Sequence, residues 1–532
     1  MRARHTISLS LALAVTACAA STTRPDIAAP VAPPTGAATE EGGGNFPQEA
    51  YRQAQPTATT PRAFQLPAVQ NFQLANGIDV YLIEKHNLPV ISAELSFEGG
   101  EVNDTKGKFG LASVCMDMLT EGTKKLEKMA FAEALADTAS SVFSYADDDT
   151  QGVAFRTLSA HLDATFGLFA DTLRNPGLRS GDFKRVVELR LEGLKQSKGS
   201  AESVARRVSG SVLYGPDHPL GHVVTKKSLQ RLRVSDCKRH HRSYVKPQGA
   251  KLFVVGDMTQ AQVRERFEKG LAGWKGAPKG SIAMPAPKSR PGKVFFVNIP
   301  GAAQSAIRIA HFGPLRKAPD YFANSMMSAV LGGGFSGRVN MNLREDKGYS
   351  YGARGSFSYQ RESGAFVASS AVRSDATYQS VLEIFTEISN MKSGAQPITQ
   401  AELTREKNGA ILGLPARFAT AAQALRMYRE LVYFGLPLDY WNRYVDNVSQ
   451  VTLAQTTVSA ATYLHPEIAS VLVVGDANAT MIRRGEDGKD VPLLDASGQP
   501  ISLLTSLRNL ARSGQIGAGE VVLLDADGNI RS

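Results

Sequence analysis

Apolar positions change their period several times along the chain, and each change marks an element. "FQLANGIDVYLIEKHNLPVISAELSF" (72–97) alternates apolar and polar residues on either side of Asn76-Gly77, which predicts a hairpin turned at that dipeptide. The period lengthens to helical spacing in "GLASVCMDMLTEGT" (110–123) and again over 126–138. "VFSYADDDTQGVAFRTLS" (142–159) returns to alternation and reads as strands. "LDATFGLFADTLRNP" (162–176) has helical period and stops at Pro176, a long helix follows over 182–198, and "AKLFVVGDM" (250–258) closes the block as a strand and turn.

The same order then returns. "LFVVGDM" at Leu252 recurs as "VLVVGDA" at Val471, 219 residues on; "LDATFGLFADTL" at Leu162 is echoed by "SDATYQSVLEIFTEI" at Ser374, 212 on; the helix around Leu119 aligns with "MMSAVLGGGFSGR" around Leu331, also 212 on. Three echoes at similar offsets indicate a tandem duplication. Strands joined mostly by hairpins and followed by helices predict an α+β fold, two copies of a largely antiparallel sheet with helices on one face. Residues 64–280 form the first domain, the proline-bearing stretch 281–293 the linker, 294–479 the second domain and 480–532 a C-terminal extension. In that extension Asp525, Asp527 and Asn529 mimic the start of a calcium loop, but the chain ends too soon, so a hairpin turn is expected.

The N-terminus changes the picture of where the chain works. Arg2 and Arg4 precede an apolar stretch from Ile7 to Val15, too short to span a bilayer, which reads as a secretory signal over 1–17. "VTAC" (15–18) resembles a bacterial lipobox and implies cleavage before Cys18 and lipidation of that residue. Lipid would hold the protein on a membrane without spanning it, with the periplasmic face of an outer membrane expected. Residues 18–63, rich in Pro, Ala, Gly and Thr, form a tether. The charge of +10 is scattered, with no dense basic run or aromatic-interleaved basic strand, so nucleic acid is not an expected partner. Besides Cys18 there are Cys115 and Cys237; buried free thiols are favoured there over a disulfide.

The repeats, the Gly-Leu-Ala helix at 110, "HPLGH", "SYVKPQGAKLFVVGDM" and "GGGFSGRVNMNLREDKGYSYGA" together resemble the pitrilysin/insulinase family over residues 64 to 478. These are inverted zincins, whose ligand helix reads H-x-x-E-H. In that chemistry two His one turn apart hold Zn²⁺, a Glu between them is the general base, and a distant Glu completes the site. Here the resemblance puts Ser113 and Asp117 at the His positions and Met116 at the base; the distant ligand falls near Glu188 and Glu192. Ser is a poor zinc ligand and Met cannot accept the proton, so no metal and no cofactor of its own is expected. His218 and His222 flank Pro219 and Gly221 and read as a loop, and adjacent His240 and His241 cannot share one metal from a helix. Ser113 as a nucleophile lacks a motif for a base.

The resemblance further implies that Arg344 and Tyr351, seven residues apart, bind the substrate carbonyl. Taken singly, Arg344 reads as an ion-pair partner of Glu345 or Asp346, and Tyr351 as a half-buried strand aromatic. Some members of the family work in pairs, one chain holding H-x-x-E-H and the other the Arg/Tyr motif. The leading expectation is therefore a non-catalytic subunit of a periplasmic zinc peptidase, partnered by a zinc-bearing homologue and acting on extended peptides. The alternatives are an inactive peptide-binding or scaffold lipoprotein, and a stand-alone peptidase with unorthodox ligands.

Overall fold

The computed structural model describes residues 66–531 apart from 281, 289–291 and 518. The signal segment 1–17, Cys18 and the tether lie outside the described residues, as do parts of the linker.

Alternating segments form fourteen strands among the described residues. The first six are β1 (Gln70–Gln73), β2 (Asp79–Glu84), β3 (Val90–Glu98), β4 (Ser141–Ala146), β5 (Thr150–Leu158) and β6 (Lys251–Gly256). They make one sheet in the order β1-β2-β6-β3-β5-β4, in which only β2 and β6 run parallel. Gly77, at φ 85°, turns the β1–β2 hairpin where Asn-Gly predicts it.

The second sheet repeats the plan. It uses β7 (Val294–Asn298), β8 (Gln304–Gly313), β9 (Ser350–Tyr359), β10 (Gly364–Arg373) and β11 (Ser470–Gly475). A small hairpin, β12 (Ile482–Arg484) with β13 (Asp490–Pro492), follows, and β14 (Val521–Leu524) ends the chain. The order β14-β7-β11-β8-β10-β9 matches the first sheet strand for strand except at one edge. In the first sheet that edge is the N-terminal hairpin strand β1, antiparallel to β2; in the second it is β14 from the C-terminal extension, parallel to β7. The α+β duplication read from the sequence is the architecture observed.

The two halves lock by exchanging helices. On β3, Ile91, Ala93, Leu95 and Phe97 face the first domain's own core, while Ser92, Glu94 and Ser96 face the other way yet are also buried. The helix Ala421–Phe434 of the second domain covers that polar face, lying across β3 and β6. Reciprocally, the helix Ala201–Tyr214 of the first domain lies across β8 and β11. Thus each sheet has its own helices on one face and a borrowed helix on the other.

Cys115 and Cys237 are joined by a disulfide, S–S 2.13 Å, which corrects the expectation of free thiols. Tertiary packing brings the helix Leu111–Asp117 against the helix Val234–Tyr244 and sets the two Cα atoms 4.7 Å apart, within bonding geometry. Spacing in the sequence carries no sign of that approach.

Candidate functional site

The helix Leu111–Asp117 begins at Gly110, whose φ of 90° belongs to the left-handed region. Its first N–H groups have no intrahelical partners, and Asp104 supplies them. One carboxylate accepts from the N–H of Gly110, Leu111 and Ala112 at 2.7, 2.9 and 2.9 Å. Burial pushes the Asp104 carboxyl up to about 7; the three N–H bonds pull the other way, and neighbouring Glu101 adds to the rise.

The three side chains that the sequence resemblance sets at the zinc-site positions, Ser113, Met116 and Asp117, lie on this helix. The Ser113 hydroxyl donates to Glu101, whose carboxyl is raised chiefly by burial. Met116 is 1% exposed within the apolar core. Asp117 accepts from Arg190 of the helix Ser180–Ser197, Nε at 2.8 Å and Nη2 at 2.6 Å. Arg190 therefore faces Asp117 where a distant carboxylate was sought. Glu188 and Glu192 are exposed and pair along their own helix with Lys184 at 4.0 Å and Lys195 at 3.9 Å. This donor set does not fit zinc. Its one carboxylate is engaged by a guanidinium, its hydroxyl by another acid, and its third member is a cation. Among the described residues no group of three or more His, Cys, Asp or Glu is placed to hold a metal ion.

The histidines have separate partners. His218 caps the short turn Pro219–Gly221 through Nδ1, and His222 stacks on Phe109 at 4.0 Å between ring centroids. His240 Nε2 lies 2.7 Å from Gln151 Oε1, and His241 Nε2 lies 2.7 Å from the Leu173 carbonyl.

In the second domain Arg344 and Tyr351 lie on either side of the turn into β9. Arg344 stands 4.8 Å over the exposed Phe335 ring and pairs with Glu345 at 3.2 Å. Tyr351 is 88% exposed, not the half-buried aromatic that its strand position suggests taken singly. The two side chains share no hydrogen bond among the described residues. What aligns their segments is Asn340, which the sequence reading did not single out. It donates to the Phe335 carbonyl at 2.6 Å and accepts from the Ala353 N–H at 3.0 Å. Two residues beyond Ala353 on β9, Gly355 bridges to Gly332, where a Cβ on Gly332 would sit 2.4 Å from the Gly355 nitrogen. The glycine-rich loop is thus pinned to the outer edge of β9.

A cavity of about 600 Å³ separates the two domains and reaches Glu101. Arg429 donates to Glu94 at 3.0 Å, Arg361 to Glu98 at 2.8 Å, Gln360 to Asp148 at 2.7 Å and Tyr433 to Asp149 at 3.0 Å. Each of these bonds runs from a second-domain donor to a first-domain carboxylate. The available signal was Glu94 and Glu98 alternating with apolar residues along β3.

Two α+β repeats, each a six-stranded sheet in the same order but for one edge strand, with helices, define the class. A signature described as "Insulinase (Peptidase family M16)" matches residues 79–210, and one described as "Peptidase M16 inactive domain" matches 231–410. The chain belongs to peptidase family M16, the pitrilysin/insulinase family. The Helicobacter pylori protein named non-peptidase homolog YmxG is 24% identical over 394 residues, 71% of this chain and 87% of its own length. Zinc protease PqqE of the same organism is 24% identical over 355 residues, 64% of this chain and 78% of its own. A crystal structure of a peptidase M16 inactive domain from Pseudomonas fluorescens shares the fold, with TM-score 0.71 and 23% identity over 77% of this chain and 98% of that one.

Proposed function

We propose that this chain is the non-catalytic subunit of a zinc metallopeptidase, pairing with a zinc-bearing homologue and presenting Arg344 and Tyr351 to the peptide being cut. The observation that carries the reading is Arg190 against Asp117. A guanidinium stands against the helix that, in a zinc peptidase of this fold, binds the metal, which supports a reading in which another chain supplies the chemistry. Tyr351 supports the second half of the reading, because its hydroxyl is exposed and uncommitted at the start of β9. In a paired chain it would donate to the oxyanion of the tetrahedral intermediate, while the homologue holds the attacking water. A non-peptidase homologue and a zinc protease of one organism both resemble this chain, which favours such a pairing. Lipid on Cys18 would hold the complex at the periplasmic face of an outer membrane.

One observation favours the second reading, a catalytically inactive peptide-binding or scaffold lipoprotein. Arg344 is already engaged by Glu345 and Phe335, as a purely structural arginine would be.

Reconstitution separates the two. The mature chain mixed with a zinc-bearing homologue from the same organism should form a complex that hydrolyses peptides, with little turnover from either alone. A homologue fully active alone that binds nothing here would leave the scaffold reading. Lipid labelling of wild type and Cys18→Ser tests the anchor, since label on both or on neither would exclude Cys18 as the lipid carrier.

A further inference from the structure

Arg308 and Arg354 stand on one face of the second sheet with Ser369 between them. Ser369 of β10 is paired with Arg308 of β8 on one side and with Arg354 of β9 on the other. Directly paired residues of adjacent antiparallel strands project to the same face, and strands lie about 4.8 Å apart, so the two arginine backbones are roughly 10 Å apart. Both side chains line one cavity of about 370 Å³, and Tyr351 lines it too. Gly352, Ser369 and Ala371 leave room above the sheet there.

Neither arginine has an ion pair or hydrogen bond among the described residues. The carboxylate that lines this cavity, Glu202, is held by Arg206 at 3.0 Å. Burial, with Arg206 adding to it and Glu202 pulling the other way, holds the Arg308 guanidinium below its ordinary range. The duplication supplies a contrast. Glu94 pairs across the first sheet with Phe253 of β6 and Ala154 of β5, as Arg308 pairs across the second with Leu472 of β11 and Ser369 of β10. At this shared position the first domain carries an acid answered by Arg429, whereas the second carries a base that no acid bonds, since Glu202, which attracts it, is held by Arg206. A half-buried, unpaired charge costs stability, and a ligand of opposite sign repays it.

We infer that this cavity binds a carboxylate of an extended peptide beside Tyr351, so that the chain selects acidic peptides. The inference rests on the peptide-presenting reading above and specifies its substrate class. Arginine pairs suit a carboxylate because each presents a planar fork of donors. The carboxylate comes from an acidic side chain or from a free C-terminus, and the test distinguishes these sources.

The test measures fluorescence anisotropy of three labelled peptides on the mature chain. One carries internal Glu and an amidated end, one internal Gln and a free end, and one internal Gln and an amidated end. The expected result is binding about tenfold tighter for at least one carboxylate-bearing peptide than for the neutral one, weakened by added salt. In Arg308→Gln and Arg354→Gln that preference should collapse to about one, with melting temperatures not lowered. Equal affinity for all three peptides on the wild-type chain, or a preference that survives both substitutions, overturns the inference and leaves peptide binding standing. Binding of none of them removes the peptide-presenting reading itself, and the inference with it.

Discussion

Arg190 approaches Asp117 with two nitrogens, Nε at 2.8 Å and Nη2 at 2.6 Å, both on one carboxylate oxygen. On the reading that sets Asp117 at a zinc-ligand position, the guanidinium supplies the positive charge that a metal would bring there. It does so without a coordination sphere, through two donors fixed in one plane that a Lys does not offer.

This pair makes a prediction about restoring the site. Ser113→His, Met116→Glu and Asp117→His together return two imidazoles and a base but leave a cation facing them. That triple variant should bind no stoichiometric zinc. Adding Arg190→Glu removes the cation and adds a possible ligand, so zinc content by elemental analysis should rise toward one per chain. Equal zinc in both variants would show that Arg190 is no obstacle.

In a reconstituted complex, Tyr351→Phe should lower turnover by about 10²–10³, the usual loss for one oxyanion donor. The substitution deletes a hydroxyl from a side chain that is 88% exposed, so folding and complex formation should not change. Arg344→Ala should act in the same direction. Undiminished turnover in both, in a complex verified by size, would make the motif structural here.

The Cys115–Cys237 disulfide closes a sequence separation of 122 residues. Its main effect is on the unfolded chain, and removing it should cost about 2–5 kcal/mol. Cys115→Ser with Cys237→Ser should therefore unfold at lower denaturant concentration, without change in the native far-ultraviolet spectrum. Such a bond forms in oxidising compartments, which supports the periplasmic location proposed for the chain. An unchanged unfolding midpoint would mean that the bond constrains nothing.

Acid should loosen the fold through two buried imidazoles. Burial pushes His240 and His311 down to about 4. His311 is satisfied as the neutral ring, Nδ1–H donating to the Phe312 carbonyl at 2.8 Å and Nε2 accepting from the His465 N–H at 3.1 Å. Because the folded state lowers these pKa values, the stability they contribute is full above about 6.5 and is lost as pH falls toward 4. Each accounts for up to about 3 kcal/mol. Asp104, pushed up to about 7, acts in the opposite sense over this range. The histidine contribution is therefore read as the difference between wild type and His311→Gln in denaturant titrations at several pH values. Parallel curves would show that His311 is not among the titrating groups.

The strand alternation around Asn76-Gly77, the helical period at 110–123 and the repeated "VVGD" turn made the duplicated α+β fold legible in sequence. Each is a local pattern of burial, and a period of two or 3.6 is written into neighbouring residues. The candidate site was half legible. Ser113, Met116 and Asp117 could be aligned because they sit within one turn of one helix. Arg190 could not, because a slip of two positions on a long helix swaps an inward residue for an outward one, and only packing sets that rotation. The Cys115–Cys237 bond is not legible in the sequence for the same reason, since it joins helices remote in sequence.

What the sequence determined by itself was therefore everything carried by short-range pattern: the elements, their duplication, and the residue types at the degenerate helix. The tertiary structure alone decided which residues from distant elements meet. It placed Arg190 on Asp117, Asn340 between Phe335 and Ala353, and Arg429 on Glu94, and it left Arg308 and Arg354 on a common face with no acid bonded to either among the described residues. The physical reason is range. Backbone hydrogen bonding and side-chain period act over a few residues, whereas ion pairs and disulfides depend on how whole sheets and helices dock.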